Sequence, residues 1–296
     1  MVNKIKFCIV VNVNAYRNKK LLNQVIKLLE KNHIVEIFES QSKGAAKEIF
    51  KSLSSKIFDR LVITGGDGSF NFAINKILQY PSLLKKDIGY IPTGTANILQ
   101  IETQVQNRPE AIAAVLIAGN TKKINLSKIN DYFFFLMAGI GFDGKIVNSI
   151  ETSVKQYLGK IIFVLKGIQH FLFLNNGKME VLFDNKKIEA DWVLSTSSQY
   201  YAGPYKITKL TNIFQNGLVT YIFSNLTRMK ILYYIFLITF YGDLSRAKSI
   251  ISTQSKYIKI NKINTNLVTQ IDGELFNEKE GIEITNTTLF INFLTT

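Results

Sequence analysis

The stretch "LVITGGDGSFNFAINKIL", Leu61 to Leu78, decides the fold. Leu61-Val62-Ile63-Thr64 is short, apolar and β-branched, as expected of a strand buried on both faces of a parallel sheet. Phe70, Ala73, Ile74, Ile77 and Leu78 then recur at helical spacing. Between the two runs lie Gly65, Gly66, Asp67 and Gly68. Glycines at such a junction reach positive φ and let a bulky, charged ligand approach the backbone. In an open α/β sheet the same junction is where ligands bind. An ordinary tight turn needs one glycine or two. Three beside a carboxylate favour a phosphate site.

Outward from this stretch the first part of the chain alternates. "IKFCIVVNV" (Ile5 to Val13), "IVEIFES", "LVIT" and "IGYI" (Ile88 to Ile91) read as strands. "LLNQVIKLLEK", "AAKEIFKSL", "NFAINKIL" and "PEAIAAVLIAGN" read as the helices between and after them, with Pro81 closing the third. Repeated βα alternation gives a doubly wound parallel sheet with helices on both faces. After about residue 121 strand-like runs dominate: "YFFFLMA", "KMEVLFD", "KIEADWVLS", "GLVTYIF", "KYIKINKI", "LVTQI" and "TLFINFL". Two helical patterns, "YLGKIIFVLKGIQHFLF" and "RMKILYYIFLITFYG", interrupt them. "FDNKK" is a hairpin signal. The expectation is an α/β domain over 1–121 and a mainly β, sandwich-type domain over 122–296, whose last strands can return to the first.

The chain has 296 residues, 47% of them hydrophobic, enough for two packed cores. Its net charge of +14 is spread evenly: 16 basic against 9 acidic residues in 1–120, and 20 against 13 in 121–296. That favours a broad anionic partner, whether a phosphorylated cofactor, an anionic membrane face or nucleic acid, against the plainer reading of a lysine-rich solvated surface. One cysteine, Cys8, excludes an intramolecular disulfide and points to a reducing compartment. Two histidines, His33 and His170, form no zinc-ligand cluster. No signal peptide is legible, since Met1 to Lys6 runs straight into a strand. The apolar run Ile231 to Tyr241 would reach only about 16 Å as a helix, against a hydrocarbon core of about 30 Å. It either packs in a core or lies against a membrane surface.

Four short stretches in fixed order resemble one family. "GGDGSFN" (Gly65 to Asn71) is similar to the GGDGT signature of the diacylglycerol kinase catalytic-domain family, which includes bacterial soluble lipid kinases and sphingosine kinases. "IPTGTANIL" resembles its P-x-GT-x-N segment, "AGIGFDGKIV" with the following LGK run its G-F-D-A segment, and "IDGE" (Ile271 to Glu274) its C-terminal DGE. The resemblance implies an α/β nucleotide-binding domain, a β-sandwich lipid-binding domain, ATP and Mg²⁺ as cofactors, and a lipid hydroxyl as phosphate acceptor. On that likeness Gly65, Gly66, Asp67, Gly68, Ser69, Phe70 and Asn71 wrap the nucleotide phosphates, with Ser40 and the segment Gly94, Thr95 and Asn97 contributing further contacts. Asp67 is the candidate Mg²⁺-linked carboxylate, taken as exposed, and Asp272 the candidate general base with Glu274 as helper or stand-in. The expected partners are ATP, a lipid substrate and an anionic membrane surface, with no nucleic acid and with room for a homodimer; the expected place is the cytoplasm, peripherally on the membrane.

Several positions depart from the family pattern. Ser69 replaces a Thr and keeps the hydroxyl; Phe72 stands where a Glu commonly follows; "VNVNAYRNKK" replaces N-P-x-S-G, with Lys19 and Lys20 as substitute phosphate partners. Ile98 stands where diacylglycerol-type members often have Asp. Asn216 and Thr220 replace two carboxylates of a structural Mg²⁺ segment, so that second metal site is not expected. Each motif also has a plainer reading: Thr93 to Asn97 as a helix cap, Asp143 as a turn residue, Asp272-Gly273 as a hairpin turn, and Phe133 to Phe135, Phe171, Phe173, Tyr233, Tyr234 and Phe236 as core. The rival functions are an NAD kinase-like nucleotide kinase, whose soluble substrate would not need the apolar runs, and a catalytically inactive relative that only binds nucleotide or membrane.

Overall fold

The computed structural model describes residues 4–13, 18–142, 144, 177–263, 268–276 and 281–296. The expectations for Asp143, for the helical run over 157–173 with His170, Phe171 and Phe173, and for the middle of the first loop lie outside them. The chain divides into two compact units, Met1–Ile124 with Phe290–Thr296, and Asn125–Leu289.

Unit 1 is a doubly wound α/β layer. Strands β1 (Lys6–Asn12), β2 (Ile34–Ser40), β3 (Arg60–Gly65) and β4 (Asp87–Pro92) form a parallel sheet in the order β2-β1-β3-β4. Asn292 and Phe293, near the end of the chain, extend it by pairing parallel with Asp87 and Ile88. Helices α1 (Lys19–Glu30), α2 (Lys43–Ser54), α3 (Asp67–Ile77), α4 (Pro81–Leu84), α5 (Ile98–Thr103) and α6 (Pro109–Ala118) fill the connections. The period-2 alternation of the strands sorts the core. Phe7, Ile9, Val11 and Val62 pack with Leu22, Val25 and Leu29 of α1 and Ile112 and Leu116 of α6. Cys8, Val10, Leu61 and Ile63 point the other way, where α2, α3 and α4 gather. Burial pushes the Cys8 thiol up to about 11, so it behaves as a small apolar core residue. Pro81 does not close α3, which ends at Ile77; it opens the short α4 at its first turn, where its missing N–H is not needed.

Unit 2 is a sandwich of antiparallel sheets. The strands that follow are β5 (Thr121–Ile129), β6 (Tyr132–Phe134), β7 (Met137–Gly141), β8 (Met179–Phe183), β9 (Lys186–Ala190), β10 (Trp192–Thr196), β11 (Tyr200–Tyr201), β12 (Tyr205–Lys206), β13 (Val219–Phe223), β14 (Ile250–Thr253), β15 (Tyr257–Lys262), β16 (Thr269–Ile271), β17 (Glu274–Phe276) and β18 (Ile282–Leu294). One sheet runs β18-β15-β8-β9, with β5 paired to β18 and β6 paired to β5. The other sheet runs β14-β13-β10-β7-β16-β17. Val181, Ile258, Ile260 and Ile284 of the first share one core with Ala138, Ile140, Val193 and Ile222 of the second. That interdigitation of two inner faces is what defines a sandwich.

Two runs that read as single strands are each broken. "YFFFLMA" becomes β6 and β7, separated at Phe135 and Leu136, whose N–H groups leave the ladder for a carboxylate described below. "KIEADWVLS" becomes β9 and β10, which lie in different sheets. The corner is Asp191: its carboxylate accepts from Leu226 N at 2.6 Å and lies 3.4 Å from Lys178 Nζ. The "FDNKK" hairpin forms, with Asp184 and Asn185 both at positive φ as a two-residue turn requires. The helical run "RMKILYYIFLITFYG" forms α7 (Arg228–Tyr241). Among the described residues no helix is long and apolar enough to cross a membrane.

Candidate active site

In unit 1 the carboxyl ends of the strands bring Asn12, Ser40, Gly65 and Pro92-Thr93 to one edge of the sheet. This is the edge where α/β sheets bind ligands. The glycine-rich turn is shorter than the motif suggests, because α3 begins at Asp67 with Gly66 as its N-cap. Helical backbone therefore runs through Gly68, Ser69, Phe70 and Asn71. Only the first of these residues face outward. Phe70 is fully buried, edge-on to Tyr90 at 5.3 Å and to Phe293 at 5.8 Å, so it is core and not a nucleotide contact. Asn71 is buried too, and its carbonyl and side-chain oxygens accept from Asn75 Nδ2 at 3.0 and 3.3 Å. The helical period turns both inward, whereas Gly66, Gly68 and Ser69 remain partly exposed at the helix N-terminus.

The second loop closes on the first. Gly65 O accepts from Thr93 N at 3.0 Å and Gly94 N at 3.1 Å, and the Tyr90 hydroxyl lies 2.9 Å away. A Cβ on Gly94 would sit 2.4 Å from Gly66 Cα, so the two backbones touch and only glycine fits. Asn97 has left-handed backbone and holds Gly94 O through Nδ2 at 3.0 Å, with its Oδ1 3.1 Å from the Tyr90 hydroxyl. It occupies the N-cap position of α5 without capping it.

Asp67 performs that capping from the other loop. Its Oδ2 accepts from Ile98 N at 2.9 Å and its Oδ1 from Leu99 N at 3.0 Å. The expectation of an exposed Asp67 is thus corrected: it is 7% exposed and clasps the two loops together. Burial raises its carboxyl above the ordinary value, against the pull of the donors at Leu99 and Ile98. The Tyr90 phenol is raised well above its own, first by burial and then by the Asp67 charge. Such a placement suits a clasp better than a direct metal ligand. Among the described residues no group of three or more His, Cys, Asp or Glu stands together to hold a metal ion.

Ser40 is buried at the end of β2 and its hydroxyl donates to Ser42 O at 2.8 Å. Thr95 is partly exposed on the second loop. Sequence reasoning passed over Thr64, at the end of β3; Thr93, weighed there as a helix cap or a phosphate contact, stands just past β4. Both are at most 1% exposed, and their Oγ1 atoms have no hydrogen-bond partner. A buried, unpaired hydroxyl is costly. Both stand at the carboxyl ends of adjacent strands, beneath the edge where the two glycine loops meet. The signal for Thr64 was a Thr near the end of an otherwise apolar strand.

In unit 2, Asp272 and Gly273 form the two-residue turn between β16 and β17, with φ of 47° and 82°. The plain hairpin reading of this segment holds as geometry. The turn also carries a function of its own, because the Asp272 carboxylate accepts from Phe135 N at 3.2 Å, Leu136 N at 3.0 Å and Met137 N at 2.8 Å. Asp272 is 5% exposed, while Glu274, two residues on, is exposed on β17. Burial pushes the Tyr132 phenol to about 12, and the Asp272 and Glu274 charges add to the effect. Thr220 is buried with its hydroxyl 2.7 Å from Ser195 Oγ, and Asn216 is exposed.

Residues 6–129 match the family model of the diacylglycerol kinase catalytic domain. The match spans 124 of the chain's 296 residues. Among curated proteins the chain is 26% identical over 188 residues to a probable lipid kinase YegS-like protein of Shewanella frigidimarina, covering 63% of this chain and 60% of that one. It is 24% identical over 181 residues to a diacylglycerol kinase of Staphylococcus carnosus, covering 60% and 57%. A diacylglycerol kinase of Staphylococcus aureus aligns over 260 residues at 23% identity, covering 86% and 81%. The first two alignments thus span less than two thirds of those relatives' own lengths. Solved structures titled as diacylglycerol kinases of Bacillus anthracis share the fold, one with TM-score 0.79 at 18% identity over 100% of this chain and 99% of that one, another with 0.77 at 17% over the same shares.

Proposed function

We propose that this chain is a lipid kinase that transfers the γ-phosphate of ATP to a hydroxyl of a membrane-derived lipid, diacylglycerol-like or sphingoid-like, in the cytoplasm at an anionic membrane surface. In this reading residues 1–121 are the nucleotide-binding kinase domain and 122–296 the lipid-binding domain. The observation that carries it is the backbone contact of Gly66 with Gly94 beside the N-terminus of α3. It leaves room for an anion against the N–H groups at the start of α3, with the partly exposed Ser69 hydroxyl beside them. The names of the relatives support the lipid as acceptor.

Phosphoryl transfer asks a protein for positioning and charge neutralisation more than for covalent chemistry. The N–H groups of Gly66, Gly68 and Ser69, with Ser40 and Thr95, would hold the phosphates. Mg²⁺ arriving on the nucleotide would neutralise part of their charge. Asp67, by holding α5 to α3, fixes the spacing of the two loops. The lipid hydroxyl needs a proton acceptor. Asp272 already has three backbone donors on its carboxylate, which orient the turn; the exposed Glu274 is the base in this reading, with Asp272 as the residue that positions it.

The test is turnover of a lipid panel with labelled ATP and Mg²⁺, by the wild type and by Glu274→Gln. The base assignment predicts a kcat lower by roughly 10²–10⁴-fold in Glu274→Gln, with unchanged nucleotide affinity and thermal unfolding. Equal turnover in both would remove Glu274 from the mechanism. Absence of turnover by the wild type with every lipid would overturn the kinase reading.

A further inference from the structure

The helix α7 is well made yet oddly placed. Thr227 caps it, its hydroxyl accepting from Lys230 N at 3.3 Å, and Gly242 ends it at φ 61°. Only Ile231, Tyr234 and Leu237 are buried, one stripe at every third position. Tyr234 packs edge-on to Phe223 at 5.3 Å, its hydroxyl 3.1 Å from Ser249 Oγ, and Lys230 Nζ donates to Ser224 O at 3.0 Å. The helix is therefore fixed to unit 2 along that stripe. Its opposite face carries Met229, Leu232, Phe236 and Phe240, exposed by 74%, 48%, 46% and 71%, flanked by Ile235 and Tyr233. An ordinary surface helix turns polar residues outward. This one is apolar all round, and contiguous exposed apolar groups of that size mark an interaction surface.

The charge around the face selects the occupant. From Trp192 to Ile271 the chain has a single acidic residue, Asp243, against nine basic ones. Asp243 is turned onto Ser245, accepting from its N at 3.0 Å and lying 2.6 Å from its Oγ. Arg228 and Lys230 stand in the first turn of α7, Arg246 lies over the Tyr241 ring at 4.4 Å, and Lys206 lies against Gly242. A second copy seated on this face would bring the same cations against one another, which is unfavourable. An anionic bilayer offers an apolar layer and opposite charge together. Fourteen helical residues reach about 21 Å, too short to span, so the helix would lie in the plane of the interface.

We propose that the outward face of α7 is the surface by which this chain docks on an anionic lipid bilayer, Leu232, Phe236 and Phe240 entering the headgroup boundary and the flanking Arg and Lys residues meeting lipid phosphates. The proposal deepens the membrane part of the function proposed above and rests on it.

The experiment is co-sedimentation with phosphatidylcholine vesicles containing phosphatidylglycerol, and with pure phosphatidylcholine vesicles, in the absence of nucleotide. The wild type binds the anionic vesicles, and raising salt from about 0.1 M to about 0.5 M weakens that binding. The exposed pair Phe236→Ser with Phe240→Ser lowers partitioning by about tenfold or more, while circular dichroism and turnover of a dispersed short-chain diacylglycerol stay as in the wild type. Unchanged partitioning of that pair variant assigns docking to another surface and overturns the proposal. A wild type that ignores anionic vesicles overturns it as well, whatever its activity. A wild-type dimer in ultracentrifugation that becomes monomeric in the pair variant, with vesicle binding retained, gives the face to a second copy. Vesicle binding as expected, with no kinase turnover on any lipid, would sink the kinase reading and leave the docking surface standing.

Discussion

Asp67 and Asp272 each precede a glycine in a motif that reads as catalytic, and each gives its carboxylate to the backbone of a segment remote in sequence. Asp67 takes Ile98 N and Leu99 N at the start of α5; Asp272 takes Phe135 N, Leu136 N and Met137 N at the start of β7. The settings differ. Asp67 opens a helix, and the adjoining glycines serve close approach of two backbones, Gly66 against Gly94. Asp272 sits in a hairpin turn at φ 47°, and Gly273 serves that turn's handedness, with nothing within 4 Å of where its Cβ would be. An acidic residue in a signature motif can therefore act first as a clasp, leaving the exposed groups near it, Ser69 or Glu274, to meet the ligand.

Removing the two clasps gives the largest expected effects. Asp272→Ala leaves three buried N–H groups without their acceptor, at roughly 1–3 kcal/mol each and less than additive, and places Ala at positive φ. A loss of about 3–5 kcal/mol in urea unfolding at neutral pH is expected. Asp67→Ala orphans two N–H groups but also removes a buried charge, so about 2–3 kcal/mol is expected. The reverse order would mean that the α5 cap, and not the β6–β7 break, is the weaker point of the fold.

The glycines sharpen the contrast with smaller effects. Gly94→Ala must move one backbone off another, since the nearest atoms are Gly66 Cα and N and Asn97 Oδ1; about 1–3 kcal/mol and loss of nucleotide-analogue binding are expected. Gly273→Ala meets only the left-handed backbone penalty of about 1–2 kcal/mol, with nucleotide binding intact. Titration with a fluorescent ATP analogue separates the two. If Gly273→Ala abolished binding and Gly94→Ala did not, the loop pair in unit 1 would not be the nucleotide floor.

Much of this was legible in the sequence because buried strands and amphipathic helices announce their periods. Leu61 to Thr64 and Leu21 to Leu29 fold as their patterns require, and the glycines of both loops lie where the motif puts them. An apolar run reports burial but not which sheet it joins, which is why the breaks at Phe135-Leu136 and at Asp191 were hidden. Their hydrogen-bond partners, Asp272 and Leu226, are distant along the chain. The motif gives the order of Phe70 and Asn71 and not the helix phase, which turns both inward once α3 starts at Asp67. Tyr90 was invisible as a site residue because in "IGYI" it looks like one more strand hydrophobe, while its hydroxyl reaches Gly65 O.

The smallest effect, and the finest probe of the comparison, is the pH dependence of Asp67. Desolvation raises its folded carboxyl above the ordinary 3.8, whereas the unfolded chain keeps that ordinary value. As pH falls through the raised folded value towards 3.8, the folded state takes up this proton before the unfolded state does. The stability owed to this group therefore rises on the acid side and is lowest at neutral pH and above. Glu36 behaves oppositely: its hydrogen bonds to Lys56 and then Lys6 lower its carboxyl below 4.5, so its contribution is present above 4.5 and fades as pH falls through the lowered value. Such exposed pairs make the overall acid limb fall and conceal the Asp67 contribution in the wild type alone. Asp67→Asn keeps an acceptor of similar shape and cannot titrate. The unfolding free energy of the wild type relative to Asp67→Asn should thus shift in favour of the wild type from pH 7 towards pH 4, the shared contribution of Glu36 cancelling in the subtraction. A difference that stayed flat with pH would mean that Asp67 ionises as readily inside the fold as outside it. The clasp would then be a hydrated one, and Asp67 would stand close enough to solvent to face the nucleotide's metal after all.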